Sequence, residues 1–185
     1  MIENLPDALV HFQPHNAAAN IVEALQVQIA SKAKTEVLVT LNDFIIEATN
    51  EAEVEIEYGS AVRAELDEAE VHYNSHEFIL NNAGAPIVDV IRIEANWLSL
   101  RLRASIDYEV QANFSMAVWD SIDKEYVPIG SSSAVTEDSY ECDVLLSLTG
   151  DFSSGIDQTA VGEFGIDLRL PGVDIGEVEP DMHDD

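Results

Sequence analysis

Residues 98–118 read LSLRLRASIDYEVQANFSMAV, and every even position in them is apolar: Leu98, Leu100, Leu102, Ala104, Ile106, Tyr108, Val110, Ala112, Phe114, Met116 and Val118. All the odd positions except Ala117 are polar. A helix repeats every 3.6 residues and cannot produce this pattern, whereas a half-buried β-strand does. A two-residue hairpin pairs residue i with i+3, which has opposite parity, so a tight turn inside the run would exchange the two faces. No exchange occurs after Leu98. The run therefore predicts one strand of about 70 Å at about 3.3 Å per residue.

Just upstream, Ile91, Ile93, Ala95 and Trp97 share one face against Arg92, Glu94 and Asn96, so the phase changes at Trp97–Leu98. No Gly or Pro lies between Ile87 and Val127. The expectation is one long bent strand with a β-bulge or corner at the phase change. Asp120-Ser-Ile-Asp-Lys124 reads as the turn that ends it, and a return strand begins near Tyr126. Pro128 and Gly130 interrupt that return, after which Tyr140, Cys142, Val144, Leu146 and Leu148 form an inward row against Glu141, Asp143 and Ser147. Gly150 to Thr159 reads as a loop, and Phe164, Ile166, Leu168 and Leu170 make a last inward row before Pro171-Gly172. Strands separated by turn-rich loops predict an antiparallel meander with one wet face.

The N-terminal region has a different period. Asn16 can cap a helix whose face runs Ala18, Ile21, Val22, Leu25 and Ile29, and Thr35 can cap a second with Val37, Leu41, Phe44, Ile45 and Ala48. From Glu51 the period becomes two: Glu51, Glu53, Glu55 and Glu57 alternate with Ala52, Val54, Ile56 and Tyr58 until Gly59, a strand with one acidic face. Ser60 to Val71 fits either a short helix or more strand. Phe78 to Leu80 lead into the turn Asn81-Asn-Ala-Gly-Ala-Pro86. The fold class is α+β, with N-terminal amphipathic helices packed on an antiparallel meander that contains one very long bent strand. A single domain is expected over residues 1–178, helical in 1–50 and β-rich in 51–178, with an acidic tail at 179–185. From Asp174 onward the acids Asp174, Glu177, Glu179, Asp181, Asp184 and Asp185 stand without Lys or Arg, which predicts a solvated arm.

The chain of 185 residues carries 36 acids against 8 Lys and Arg, a formal charge of −28. Such a field repels a phosphate backbone and an anionic membrane alike, so direct nucleic-acid or membrane binding is not expected. A basic protein surface, such as that of a nucleic-acid-binding protein, is the partner that the charge favours. A lysine-poor, acid-rich surface also suits work at high salt, where carboxylates hold hydration and repulsion is screened. Cys142 is the only cysteine, which excludes an intramolecular disulfide and a thiol-rich zinc site. Residues 1–10 have acids at Glu3 and Asp7 and lack a signal-peptide pattern, and no apolar run approaches the roughly 18 residues of a span. A cytoplasmic setting is expected.

No motif announces chemistry. His72-Tyr-Asn-Ser-His76 has the spacing that grips a metal on a helix, but the intervening residues favour a turn and none is an acid placed for zinc hydrolysis. His11 and His15 share the spacing, and Pro14 argues against a helix through them. Asp151 to Asp157 superficially resembles a calcium loop, yet Gly155 occupies a ligand position and Gly162 stands where a glutamate belongs. There is no Gly-x-Ser-x-Gly elbow and no phosphate-binding loop, and Cys142 falls on an inward row. No catalytic residue and no cofactor are assigned, and no metal site is defined. A metal-dependent hydrolase using clustered carboxylates with His72 or His76 is the alternative class, and a detached structural or sensory sheet domain is a third. The segment from Glu47 to Glu70 ranks first as a site, with nine acids against Arg63 alone. On a strand, Glu51, Glu53, Glu55 and Glu57 recur every 6 to 7 Å or so and imitate a phosphate backbone, which would occupy a basic cleft.

Trp119-Asp-Ser-Ile-Asp-Lys-Glu-Tyr-Val127, flanked by the alternating strand and by Tyr140-Glu-Cys-Asp-Val-Leu-Leu146, resembles the β-rich C-terminal region that follows the nuclease domain in some bacterial PIN-like proteins. The likeness spans roughly Ile87 to Val178. It implies an accessory or regulatory module of an RNA- or DNA-cleaving system. It transfers no catalytic residue, because the metal-binding acids of such nucleases belong to a domain that this sequence does not contain. Together these features predict a non-enzymatic acidic module that regulates or inhibits a nucleic-acid-processing partner.

Overall fold

The computed structural model describes the backbone of residues 5–179 and the side chains of residues 16–179. Two helices, α1 (Leu5–Ala30) and α2 (Glu36–Asn50), precede seven strands: β1 (Ile56–Gly59), β2 (Arg63–Phe78), β3 (Val88–Ile93), β4 (Trp97–Asp120), β5 (Glu125–Gly150), β6 (Thr159–Ile166) and β7 (Val173–Glu177). One sheet runs β2-β4-β5-β6 with β3 also paired to β4, and β1 and β7 form a separate two-stranded sheet. The class is α+β. The chain forms two compact units, one from residues up to Glu47 with His76–Ser105 and Glu141–Asp167, the other from Ala48–Ser75, Ile106–Tyr140 and the residues from Leu168 on.

In the first unit, α1 begins well before the expected cap at Asn16 and its backbone is helical through Pro14. An interior proline removes one hydrogen bond and can bend a helix without ending it. Ala18, Ile21 and Leu25 bury the expected face. The helix ends in a Schellman motif: Lys32 N–H donates to the Ile29 carbonyl (3.0 Å), Ala33 N–H donates to the Gln28 carbonyl (2.9 Å), and Lys32 takes φ +51°. Thr35 precedes α2 as expected, its carbonyl accepting from Val39 N–H at 2.9 Å, but its hydroxyl donates to Gln28 Oε1 (3.0 Å) and ties the two helices together. Val37, Leu38, Leu41 and Ile45 are buried, and Phe44 stacks on Phe164 of β6 with centroids 4.9 Å apart. α1 lies against β3, and Gln26 Nε2 donates to the Pro86 carbonyl at 2.7 Å.

The expected corner at Trp97 is a hairpin. Glu94 N–H donates to the Trp97 carbonyl (2.8 Å) and Ile93 pairs with Leu98, so the hydrogen-bonded pairing closes around the two residues Ala95 and Asn96. The single bent strand expected from Ile87 is therefore two antiparallel strands, because a two-residue connection exchanges parity as a bulge also does. The pairing Asp89↔Arg101 sets the two side chains side by side, and Arg101 Nη2 donates to Asp89 Oδ2 at 2.9 Å. Leu98, Leu100, Leu102 and Ala104 are buried, as are Cys142, Val144, Leu146 and Leu148 of β5. Between β5 and β6 the loop contains two short 3₁₀ turns, the first capped by Asp151, which accepts from Ser153 N–H (3.0 Å) and Ser153 Oγ (2.6 Å).

In the second unit the even row continues through Ile106, Tyr108, Val110, Ala112, Phe114 and Met116, all buried. Val118 breaks the row and is more than a third exposed, next to the Asp120–Lys124 turn, where Lys124 takes φ +57°. β2 settles the ambiguity over Ser60 to Val71, which is extended from Arg63 on. Pro128 and Gly130 do not interrupt β5. Pairing of β5 with β6 begins only at Val144, so Pro128 lies outside that ladder, where its missing N–H costs no bond to β6.

The acidic strand is shorter than expected. Residues 52–55 lack a ladder and β1 starts at Ile56, although exposure still alternates from Glu51 to Glu57. The stretch from Asp174, expected to be a solvated arm, instead supplies β7, which pairs in parallel with β1 (Ile56↔Val173, Glu57↔Asp174). Val173 and Val178 are buried, which explains why an acid-rich segment docks: its apolar residues join the core. Two clusters fill this unit, one of Val71, Tyr108, Val110, Leu170 and Val173 with Ala52 and Val54 against it, the other of Ala112, Phe114, Met116 and Val178. Residues 180–185 of the expected tail lie outside the described residues.

Candidate functional site

The acid row is built by burial of its alternate residues. Ala52, Val54 and Ile56 pack on the core of the second unit, which turns Glu51, Glu53, Glu55 and Glu57 outward. Glu55 is anchored by its backbone, its carbonyl accepting from Val173 N–H at 2.8 Å. The parallel ladder widens the row, because it sets Asp174 beside Glu57 and Glu177 beside Gly59. Like charges opposite one another destabilise a sheet. Among the described residues, none of these six carboxylates has an ion-pair partner.

Aromatic contacts lead from this edge to the β4–β5 turn. Tyr58, next to Glu57, packs edge-on against Phe114 (4.7 Å between centroids), and its hydroxyl donates to the Ala64 carbonyl (3.2 Å). Neighbouring Arg63 places its guanidinium 4.4 Å from the centroid of the Tyr126 ring, and Tyr126 meets Trp119 edge-to-face at 5.1 Å. A hydrogen bond to Glu65 and its charge raise the Arg63 pKa, so the guanidinium stays charged over the ring. Trp119 is 55% exposed and Ile122, at the turn, 85%. Val127, Ile129 and Val135 continue the exposed apolar surface along β5.

Sequence reasoning placed the acids on one edge and missed this tip. The signal was present in Ile122, a large aliphatic residue inside a polar turn with no partner at strand spacing. The histidine pair does not form a metal grip: His72 and His76 lie on β2, where residues four apart are about 13 Å apart. His72 Nε2 lies 3.4 Å from Glu70 Oε2, and half-buried His76, its pKa lowered by desolvation, packs edge-on against Phe78. No group of three or more His, Cys, Asp or Glu among the described residues is arranged to hold a metal ion. Cys142 is buried, and desolvation, with the Asp143 charge second, pushes its thiol pKa up to about 11, which keeps it protonated and unreactive at neutral pH. No described helix is long and apolar enough to cross a membrane. Comparison with known proteins gave no matching family model, curated protein or solved structure.

Proposed function

We propose that this protein is a non-enzymatic interaction module that binds a basic protein surface through the edge formed by Glu51, Glu53, Glu55 and Glu57. The observation that carries the reading is the continuity from six outward carboxylates through Tyr58 and Arg63 to exposed Tyr126, Trp119 and Ile122. Interfaces combine those two elements: complementary charge steers and aligns the partner, and a few Trp, Tyr and Arg anchors supply most of the affinity. Repulsion among the unpaired carboxylates is relieved when a cationic surface docks.

The spacing of the acid row suits a partner that otherwise holds nucleic acid, and the resemblance of residues 119–127 to a PIN-associated region supports the same partner class. The module then acts as a regulator or inhibitor by occupying the basic cleft. A cytoplasmic setting fits a chain whose single thiol is unpaired and buried.

Co-purification at about 0.15 M salt, followed by elution at about 1 M, tests this, because surface charge pairs are screened at the higher value. The expected eluate is a basic protein that is lost when Glu51, Glu53, Glu55 and Glu57 are all changed to Gln, and lost separately in Trp119→Ala. Retention of the same partner by the quadruple variant, or an acidic partner indifferent to salt, refutes the reading.

A further inference from the structure

In a chain of charge −28, two of the three lysines lie on the short connection between α1 and α2, at Lys32 and Lys34. Both line an open cleft of about 840 Å³ in the first unit, together with Leu38 and Val39 of α2, Phe78 at the end of β2, and the turn from Leu80 to Pro86. Small-molecule sites occupy roughly 300–1,000 Å³ and are mostly apolar with a few placed polar groups. The walls fit that description: Leu38 and Pro86 are buried, while Val39 and Leu80 leave about half their surface open to solvent.

The titratable groups facing the cleft are Lys32, Lys34, Asp43, His76 and Glu77. Burial lowers the pKa of His76, which disfavours its charged form. Neither lysine has an ion-pair partner among the described residues. Charge is divided along the site, since Lys34 precedes the first residue of α2 whereas Asp43 lies two turns farther on, about 10 Å along the axis at 1.5 Å per residue. The helix ends give this place little net charge, since the positive end of α2 carries Glu36 in its first turn and the negative end of α1 lies beside Lys32. Lys32 also stands in the left-handed position of the Schellman motif, where glycine is the residue the backbone favours.

We propose that this cleft binds a small amphipathic anion, with a carboxylate or phosphate head between Lys32 and Lys34 and an apolar body along Leu38, Val39, Phe78 and Leu80. The overall field opposes this selectivity, since a strongly negative protein accumulates cations. Preference for an anion at this place therefore has to come from the two lysines.

Titration of the ¹⁵N-labelled full chain with octanoate and octyl phosphate, against octylammonium and octanol, reads the proposal from amide shifts. The anions are expected to move residues 32–43 and 76–86 saturably, with octanol at least about tenfold weaker and octylammonium causing no saturable change there. Response to only one of the two anions identifies its head group as the one selected. Lys32→Gly, whose glycine suits the backbone, is expected to weaken binding about fivefold, and adding Lys34→Gln to weaken it about as much again. Octylammonium binding as tightly as octanoate, unchanged affinity in a folded double variant, or no shift with either anion overturns it.

Discussion

Replacing Lys32 separates two effects that oppose each other at the end of α1. The left-handed conformation, φ +51°, costs a residue with a Cβ about 1 to 2 kcal/mol relative to glycine. Glycine returns roughly 0.5 to 1 kcal/mol of that through the greater freedom of the unfolded chain. Against this, a positive charge just past a helix C-terminus contributes about 0.5 kcal/mol at low ionic strength. Lys32→Ala loses the charge and keeps the strain, so it is expected to be about 0.5 kcal/mol less stable than the parent. Lys32→Gly loses the charge and the strain, and is expected to exceed the alanine variant by about 1 kcal/mol. Urea unfolding followed by far-ultraviolet circular dichroism measures both. In about 1 M salt, where screening acts within about 3 Å, the alanine variant should match the parent and the glycine variant should keep its advantage. A glycine variant no more stable than the alanine variant would refute the assignment of strain to this position. If the cleft binds an anion as proposed, the stabler protein is the poorer binder, and lysine is retained there for function.

Two further outcomes follow from the even row of β4. Phe114→Ala is expected to cost about 3 to 5 kcal/mol, because the ring is fully buried among Ala112, Met116 and Val178, whereas Ser115→Ala, on the exposed face with one bond to Asp67, should cost less than about 1 kcal/mol by urea unfolding. Burial, with the Asp138 charge second, pushes the Tyr108 pKa up to about 12, above the value of about 10 for an unfolded chain. The unfolded state gives up this proton first, so the contribution is complete below about pH 10 and is lost between about pH 10 and 12, on the order of 2 kcal/mol. Alkaline absorbance titration should show one late tyrosine that is missing in Tyr108→Phe, and a native titration with no late component would contradict the burial.

The parts of the fold legible in the sequence are those whose period is long and whose partner is near. The even row of β4 and the inward row of β5 were plain because each buries one face over many residues. The β3–β4 hairpin was misread by a narrow margin. The parity rule that excluded tight turns within Leu98 to Val118 also marks Trp97–Leu98 as a place where faces exchange, but Glu94-Ala95-Asn96-Trp97 offers no Gly or Pro to separate a turn from a bulge. Local signals misled at Asn16 and Pro14, because a cap residue and a proline permit a helix boundary without imposing one. β7 was hidden for another reason. Its composition is that of a solvated tail, and only two buried valines, Val173 and Val178, reveal that a distant strand is waiting for it. At the candidate site the acid row was readable from alternation alone. The aromatic tip was not, since its residues come from two strands and a turn that the fold must first bring together.

The parallel pairing of β1 with β7 also orders events during synthesis. Ser60 Oγ donates to the Val178 carbonyl across 118 residues of chain. At about 5 to 20 residues per second, a ribosome leaves the first strand without its partner for roughly 6 to 24 s. Through that interval Ala52, Val54 and Ile56 are an apolar segment with an open edge, the kind of sequence that pairs with other chains. Four alternating glutamates make each nascent copy repel the next, so the residues proposed to recognise a partner also guard the unfinished protein against its own kind.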